Sequence, residues 1–486
     1  MSDKQLDLKD IKKRSLAGIV TLSGRTFLMQ IVALGATFLL TIYLDPAQYG
    51  VFFIVSAAVN FLTYFSDIGL AAALIQKKEK IEKDDLASTF SIQQILVVSL
   101  VLISFLISRK IAGFYGLDNT GLWLLRALII SFFISSLKTI PSILLERELQ
   151  FNKLVIPQIV ETILFYLVAV VLAARGYGVA SFTWAVLVRG ISGLIVMYSL
   201  MPWKPSFGIN KKSAKHLLSY GLPFQTNSFL ALLKDDLLTA FLGKILPLAE
   251  VGFIGWAQKW AFFPLRFFMD AVNKVSFPAY SRLQHKKEML VKAIEKSIYG
   301  IGLTVFPTLI GLAILAPFFV RLFPKYLKWE PALIALTFFC INGIFSSIST
   351  TITNALNALG KIKISLRLMV IWTILTWVLT ITLIKVFSYN GVAIASALVT
   401  MTVFLPVYYI KREVDVKVLP HVYKPLLATL IMGIVVKLLA NLLVTSLVKM
   451  LLLIPVGVLV YLGAIWILDG KRIKMEVEFV RKNLAK

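Results

Sequence analysis

Hydrophobic runs separated by short polar or charged segments recur along almost the whole chain, from Ser15 to Leu468. Each run holds about 20 residues, and a helix of that length crosses the roughly 30 Å hydrocarbon core of a bilayer. The pattern predicts an all-α polytopic membrane protein with about fourteen spans, at residues 16–44, 49–76, 86–108, 120–144, 154–174, 177–200, 214–243, 250–278, 290–316, 331–358, 362–386, 391–410, 425–442 and 450–468.

The composition excludes two other classes of protein. Hydrophobic residues make up 58% of the 486 residues, whereas only about half of a typical soluble domain is apolar. The formal net charge of +26 suggests nucleic-acid binding, but the basic residues lie in short clusters between the hydrophobic runs, as at Lys77–Lys83 and Lys471–Lys474, rather than on one folded face. The single cysteine, Cys340, excludes an internal disulfide and a multi-cysteine metal site.

The distribution of Lys and Arg predicts the orientation. Segments on the side of the N-terminus hold far more Lys and Arg than the opposite loops, which favours both termini in the cytoplasm. The run after Arg14 is too long for a cleavable signal and is expected to stay as a signal-anchor helix. The longest predicted outer loop, Pro317–Glu330, is too short for a catalytic domain, and the chain has no Gly-rich phosphate loop. We therefore expect no enzyme activity and no use of ATP.

Two pairs of matching segments indicate an internal repeat. Residues 47–50 (Ala-Gln-Tyr-Gly) and 249–252 (Ala-Glu-Val-Gly) open the second and eighth spans, while 178–180 and 391–393 (both Gly-Val-Ala) open the sixth and twelfth. Each half holds six spans and enters the membrane from the same side, so the repeat is parallel and predicts two lobes in a V that permits alternating access. The predicted domains are an N-lobe, a C-lobe, and two extra spans with a basic cytoplasmic tail, at 1–200, 201–411 and 412–486.

Charged side chains within the predicted spans are the candidate functional residues. A charge at the centre of a span costs about 2.5–3.5 kcal/mol on insertion scales, so it normally faces a cavity and often carries function. Three lysines near span ends are expected only to reach the headgroups, namely Lys138, Lys296 and Lys437. The basic residues expected to bind substrate are Arg25, Arg189, Lys234, Lys259, Arg266 and Lys274.

The eighth span carries the clearest charge pattern. Four of its residues recur at helical spacing along one face: Lys259, Arg266, Asp270 and Lys274. One interpretation is a cationic, water-filled cavity for a pyrophosphate flanked by sugars, because Arg and Lys bind phosphate through charge-assisted hydrogen bonds. The other interpretation is that Arg25–Asp67 and Arg266–Asp270 are structural ion pairs. The excess of basic over acidic residues favours the cavity.

Several motifs resemble one known family. They are residues 44–50 (Leu-Asp-Pro-Ala-Gln-Tyr-Gly), 67–70 (Asp-Ile-Gly-Leu), 250–253 (Glu-Val-Gly-Phe), 277–283 (Phe-Pro-Ala-Tyr-Ser-Arg-Leu) and 357–361 (Asn-Ala-Leu-Gly-Lys). With the apolar stretches between them, they resemble the O-antigen and exopolysaccharide (Wzx-type) branch of the multidrug/oligosaccharidyl-lipid/polysaccharide flippase superfamily. The likeness covers nearly the whole chain. It implies fourteen helices in two lobes and an undecaprenyl-pyrophosphate-linked oligosaccharide as substrate.

The same resemblance implies that acidic residues of the N-lobe bind a coupling cation, H+ or Na+. Asp67 is the first choice for this role and Glu161 the second. The remaining acidic candidates for ion coupling are Asp235, Asp236 and Asp270. No other cofactor and no metal site is expected.

Together these features predict a transporter that flips a lipid-linked oligosaccharide from the cytoplasmic to the outer leaflet of the cell membrane. Its expected partners are that lipid, the membrane lipids and downstream polymerase or export proteins, without nucleic acid. A cation-coupled drug antiporter of the same fold is disfavoured by the basic residues within spans. The sequence does not distinguish a flippase for the peptidoglycan precursor from one for another lipid-linked oligosaccharide. A membrane-embedded glycan polymerase or ligase is disfavoured by the short loops, and a scaffold without transport leaves the charges within spans unexplained.

Overall fold

The hydrophobic runs fold as helices because an α-helix satisfies its own backbone hydrogen bonds inside a bilayer. The computed structural model describes residues 8–64, 69–77 and 81–484. Within these ranges it describes side chains from Gly24 onward, except at 216, 220–231, 271, 274, 476–477 and 479–484. All regular secondary structure in the described ranges is helical, which confirms the predicted fold class.

The chain divides into two compact units, at 1–252 and 253–486. The division falls inside one helix, α11, at a different position from the predicted lobe boundaries, which stay a prediction. The helices that begin in unit 1 are α1 Leu8–Tyr43, α2 Pro46–Tyr64, α3 Leu70–Gln76, α4 Lys83–Leu106, α5 Ser108–Phe114, α6 Asn119–Ser136, α7 Thr139–Arg147, α8 Phe151–Ala174, α9 Ala180–Leu200, α10 Lys211–Ile245 and α11 Leu248–Leu283.

Unit 2 continues with seven more α-helices. They are α12 Lys287–Leu322, α13 Leu333–Ala358, α14 Ile362–Phe387, α15 Asn390–Thr400, α16 Phe404–Glu413, α17 Val418–Leu443 and α18 Leu447–Leu484. Two short 3-10 segments join them, at Pro324–Ala332 and Met401–Val403.

The described residues contain 12 helical stretches that are long and apolar enough to cross a membrane. Each of them coincides with a predicted span, so the chain is a multi-pass membrane protein. The two remaining predicted spans correspond to α10 and α11, which have 35 and 36 residues and carry more charged side chains. The total of fourteen therefore stays a prediction.

Three predicted spans are divided in the structure, and one of them, at 391–410, forms α15, a 3-10 segment and α16. The span predicted at 49–76 forms α2 and α3, and Gly69 before α3 has a φ of 74°, which favours glycine. The span predicted at 120–144 forms α6 and α7, with a turn at Leu137–Lys138. A hydrophobic run alone does not reveal such breaks, because its apolar residues continue through them.

The segment predicted as an outer loop, Pro317–Glu330, is largely helical in the structure, and its outer position stays a prediction. Helix α12 continues to Leu322 and a 3-10 helix follows at Pro324–Ala332. Trp329 is fully buried, and its ring stacks on Trp256 at a centroid distance of 5.5 Å. Burial of these aromatic rings stabilises a helical conformation that the Pro and Lys residues of the segment do not suggest.

Neighbouring helices pack closely within each unit. In unit 1, α8 packs against α1 and α9, and α9 also packs against α6. In unit 2, α12 packs against α13 and α17, and α17 packs against α18. Helix α18 bends at Asp469 (φ −149°, ψ 29°), whose Oδ1 lies 2.6 Å from Nζ of Lys424 on α17.

The first pair of matching segments meets inside unit 1. Gly50 and Gly252 each lie four residues into their helices, α2 and α11. A Cβ atom at Gly50 would overlap the carbonyl oxygen of Leu248, and one at Gly252 would overlap that of Pro46. The two helix starts therefore approach closely through backbone atoms, and only glycine fits at either position.

Candidate functional site

Helices α1 and α8 join through a polar contact among the predicted site residues. Arg25 on α1 donates a hydrogen bond from Nη1 to Oε1 of Gln158 on α8. A second donor, Nη2, lies 3.3 Å from Oγ1 of Thr26. The alternative partner considered from sequence, Asp67, lies outside the described residues.

A three-residue charge cluster lies one helical turn further along α8. Oε1 of Glu161 pairs closely with Nζ of Lys138, and Oε2 lies 3.9 Å from Nε of Arg189 on α9. The Lys138 and Glu161 side chains are 12% and 13% exposed, whereas that of Arg189 is 53% exposed. We call these three residues the Glu161 cluster; it places two of the predicted site residues together.

Lys138 was expected to reach the headgroups, and that prediction is wrong. Its side chain turns into unit 1 and pairs with Glu161. The carboxylate compensates the cost of removing the ammonium group from water. By contrast, Lys437 is exposed on α17, with its Nζ 5.2 Å from the centre of the Phe318 ring. For Lys437 a position at the headgroups stays a prediction.

Polar side chains hold the turn that presents Lys138. Nε2 of Gln94 donates to Oγ of Ser136 at 3.0 Å, and the hydroxyl of Tyr198 donates to the carbonyl of Leu137 at 3.0 Å. Gln93 donates in the same way to Thr139 at 2.9 Å. The bond from Tyr198 satisfies a backbone carbonyl at the end of α6, and the other two bonds join polar side chains around the turn.

A glycine on α9 makes room for the carboxylate of the Glu161 cluster. A Cβ atom at Gly193 would overlap the Oε1, Cδ and Cγ atoms of Glu161. Sequence reasoning missed Gly193, Gln158 and the role of Lys138. The available signal was weak: Gln158 and Glu161 stand three residues apart, a spacing that places both on one helix face.

The predicted residues of α10 form a separate group. Asp236 accepts a hydrogen bond from Nδ2 of Asn60 on α2 at 3.4 Å. Asp235 is exposed and Lys234 is half-buried. The backbone carbonyl of Asp235 accepts from Oγ1 of Thr239 at 2.8 Å, so its carboxylate is not used by that bond.

Helix α11 carries charges of a different kind. Lys259, Arg266 and Asp270 are all exposed on the part of α11 that belongs to unit 2. No residue that the structure describes forms an ion pair or hydrogen bond with any of their side chains. The structural ion pair considered for Arg266 and Asp270 is therefore not formed. The fourth residue of the stripe, Lys274, lies outside the described side chains.

The chemistry of these groups suits an anionic ligand better than a metal ion. Among the described residues no cluster of three or more His, Cys, Asp and Glu side chains could hold a metal. Arg189, Lys259 and Arg266 instead present exposed donors, and such groups bind phosphate through charge-assisted hydrogen bonds.

Comparisons with known proteins identify the family. Residues 39–332 match a family described as polysaccharide biosynthesis protein. The chain is 25% identical over 368 residues to an uncharacterised membrane protein in the cps region of Klebsiella pneumoniae, covering 74% of each chain. It is also 25% identical to the lipopolysaccharide biosynthesis protein WzxC of Escherichia coli K12, over 68% of this chain and 67% of WzxC.

The fold is similar to that of a solved transporter. The lipid II flippase MurJ, in an inward closed conformation, superimposes with a TM-score of 0.77 at 18% identity. The superposition covers 93% of this chain and 100% of MurJ. At this identity the likeness shows the fold alone.

Proposed function

The chain belongs to the family of polysaccharide biosynthesis proteins, and we propose that it flips a lipid-linked oligosaccharide across the cytoplasmic membrane. The family match confirms the family predicted from the sequence motifs. We propose an undecaprenyl-pyrophosphate-linked repeat unit as substrate, carried from the cytoplasmic to the outer leaflet by alternating access. Both termini are then cytoplasmic, as the Lys and Arg distribution favours.

One observation carries this proposal: Lys259 and Arg266 are exposed on a long helix, and no described residue offers either of them a carboxylate partner. An unpaired charge in a membrane-spanning segment is costly unless it faces water or a ligand of opposite charge. A pyrophosphate supplies several acceptor oxygens and negative charge in one group, so it suits two basic side chains on one helix face. Lys274, Lys234 and Arg25 are proposed as further contacts.

The energy source is proposed from the acidic residues. Asp67, Asp235, Asp236 and Asp270 are the proposed positions at which H+ or Na+ would bind during transport. Asp235 and Asp270 support this role because both are exposed and free of an ion-pair partner among the described residues. Downstream polymerase or export proteins are the proposed recipients of the flipped lipid.

A drug antiporter of the same fold is the main rival. Such a protein would need an acidic cavity for cationic drugs, whereas the exposed charges of α11 are mainly basic. A flippase for the peptidoglycan precursor would have the same diphosphate chemistry, and only the sugar head group would differ.

The test is deletion of the gene followed by lipid analysis of the two leaflets. We expect one lipid-linked oligosaccharide to accumulate on the cytoplasmic leaflet, and its mass to identify the head group. Re-expression of the intact chain should clear it, while a variant with both Lys259→Ala and Arg266→Ala should not. Normal lipid distribution in the deletion strain, with increased sensitivity to cationic drugs, would support the antiporter instead.

A further inference from the structure

The Glu161 carboxylate lies between two basic side chains that it holds unequally. Its Oε1 is in close hydrogen-bonding contact with Nζ of Lys138, while Oε2 is 3.9 Å from Nε of Arg189, too long for a hydrogen bond. Lys138 is almost fully buried, and Arg189 is more than half exposed. Lys138 is therefore the fixed partner, and Arg189 is the one that is free to move.

Arg189 also keeps most of its hydrogen-bonding capacity. A guanidinium group has five N–H donors, and no described residue accepts a hydrogen bond from that of Arg189. Its Cζ lies 5.8 Å from the centre of the Phe165 ring, a distance at which the ring attracts the cation. The two terminal nitrogens are therefore available for a two-point contact with a phosphate.

The place of the Glu161 carboxylate is built into the packing of α8 and α9. Gly193 leaves the space that the carboxylate fills, and the turn at Leu137–Lys138 fixes the ammonium group beside it. Lys138 stays in contact with the Glu161 carboxylate whether or not Arg189 remains near it. A carboxylate bracketed in this way is a poor site for a coupling cation.

We propose that Glu161 is an internal counter-ion that competes with the substrate's phosphate for Arg189. This inference rests on the proposed function, because the competing anion is the diphosphate of the lipid carrier. When the diphosphate enters, the Arg189 guanidinium leaves Oε2 of Glu161 and binds the phosphate oxygens. When the diphosphate departs, Glu161 takes Arg189 back, which favours release.

This role differs in its consequences from a coupling role and from a structural one. Removing the charge of Glu161 removes the competitor, so the diphosphate should bind more tightly and leave more slowly. Both KM and kcat should then fall. A coupling residue would instead change the dependence of transport on pH or sodium, and a structural residue would lower the yield of folded protein without tightening binding.

The experiment measures binding of farnesyl pyrophosphate to the purified full-length protein in detergent by calorimetry, with farnesol as the uncharged comparison. Glu161→Gln should lower the Kd about fivefold, the amount expected for loss of a partly exposed ion pair. The double variant Lys138→Gln with Glu161→Gln should do the same without leaving a buried ammonium group unpaired. Arg189→Ala should raise the Kd at least about tenfold. Lys437→Ala, the matched basic control, should leave it unchanged.

The outcomes separate this inference from the proposed function. Weaker or unchanged binding in both Glu161 variants would overturn the competition. Equal binding by Arg189→Ala and the natural protein would also overturn it, while specific binding of the diphosphate would leave the proposed function standing. If the natural protein bound farnesyl pyrophosphate no better than farnesol, the diphosphate substrate and the competition would both fail.

Discussion

The basic residues of the Glu161 cluster and those of α11 have different surroundings in the structure. Around Glu161, Lys138 is buried and paired, and Arg189 is loosely held. On α11, Lys259 and Arg266 are exposed, and the described residues offer them no acidic partner. A buried, paired charge contributes mainly to the stability of its unit, whereas an exposed, unpaired one remains available to a ligand. Substitutions in the two regions should therefore affect different measurements.

The largest effect is expected at Lys138. Lys138→Ala leaves the Glu161 carboxylate buried with only a distant cation, and breaking a buried pair in this way should lower the free energy of unfolding by about 3 kcal/mol. Denaturation with SDS in mixed micelles measures this change. Replacing both partners by Gln should cost much less, because no uncompensated charge remains. An equal loss in the single and double variants would show that the stability comes from the pair itself and that an unpaired Glu161 carboxylate adds no further cost.

The next effect is expected on transport, at Arg266. Arg266→Ala should weaken substrate binding by about 2 kcal/mol, or roughly 30-fold, since it removes a charge-assisted hydrogen bond. Arg266→Lys keeps the charge but loses the planar fork, so it should retain part of the rate. The initial rate of flipping in proteoliposomes checks both, and the stability of the variants should stay unchanged.

A charge swap is the most direct test of that prediction. Arg266 and Asp270 do not pair in the structure, so Arg266→Asp combined with Asp270→Arg should remain as inactive as Arg266→Asp alone. Recovery of transport in the double variant would show that the two residues act as an ion pair. The charges of α11 would then be paired, like those of the Glu161 cluster.

A smaller effect on stability is expected at Lys424. It pairs with Asp469 at 2.6 Å, but its side chain is 29% exposed, so water compensates part of the lost contact. Lys424→Met should lower the free energy of unfolding by about 1 kcal/mol, less than Lys138→Ala. The same SDS denaturation measures it. A loss as large as that of Lys138→Ala would show that burial does not determine how much an ion pair contributes to the free energy of unfolding.

The smallest effect is expected at Lys437, which is exposed and rests against Phe318. Lys437→Ala should change the free energy of unfolding by less than about 0.5 kcal/mol, and the activation free energy calculated from the flipping rate by no more than that. A strong loss of transport would indicate that net positive charge, rather than the position of Arg266, determines the rate.

The sequence was sufficient to predict the 12 apolar helical stretches, but not the contacts between the helices. Helices α8 and α9 follow from long apolar runs bounded by polar residues, and the exposed stripe of α11 follows from helical spacing along one helix. The partner of Lys138 could not be predicted, because Glu161 is distant in sequence and the turn at Leu137–Lys138 lies within a continuous apolar run. Pro317–Glu330 was mistaken for a loop because its helical conformation depends on buried aromatic rings.

The contact between Gly50 and Gly252 has a consequence for how the two positions respond to substitution. Each glycine faces the backbone of the other half, at the equivalent proline or leucine one helical turn earlier. A side chain acquired by one copy of the motif would collide with the main chain of its counterpart, whatever residue the counterpart carried. A substitution at one glycine could therefore not be compensated by a side-chain change at the other, because the collision is with main-chain atoms. Either position accepts a larger residue only if the two helix starts move apart.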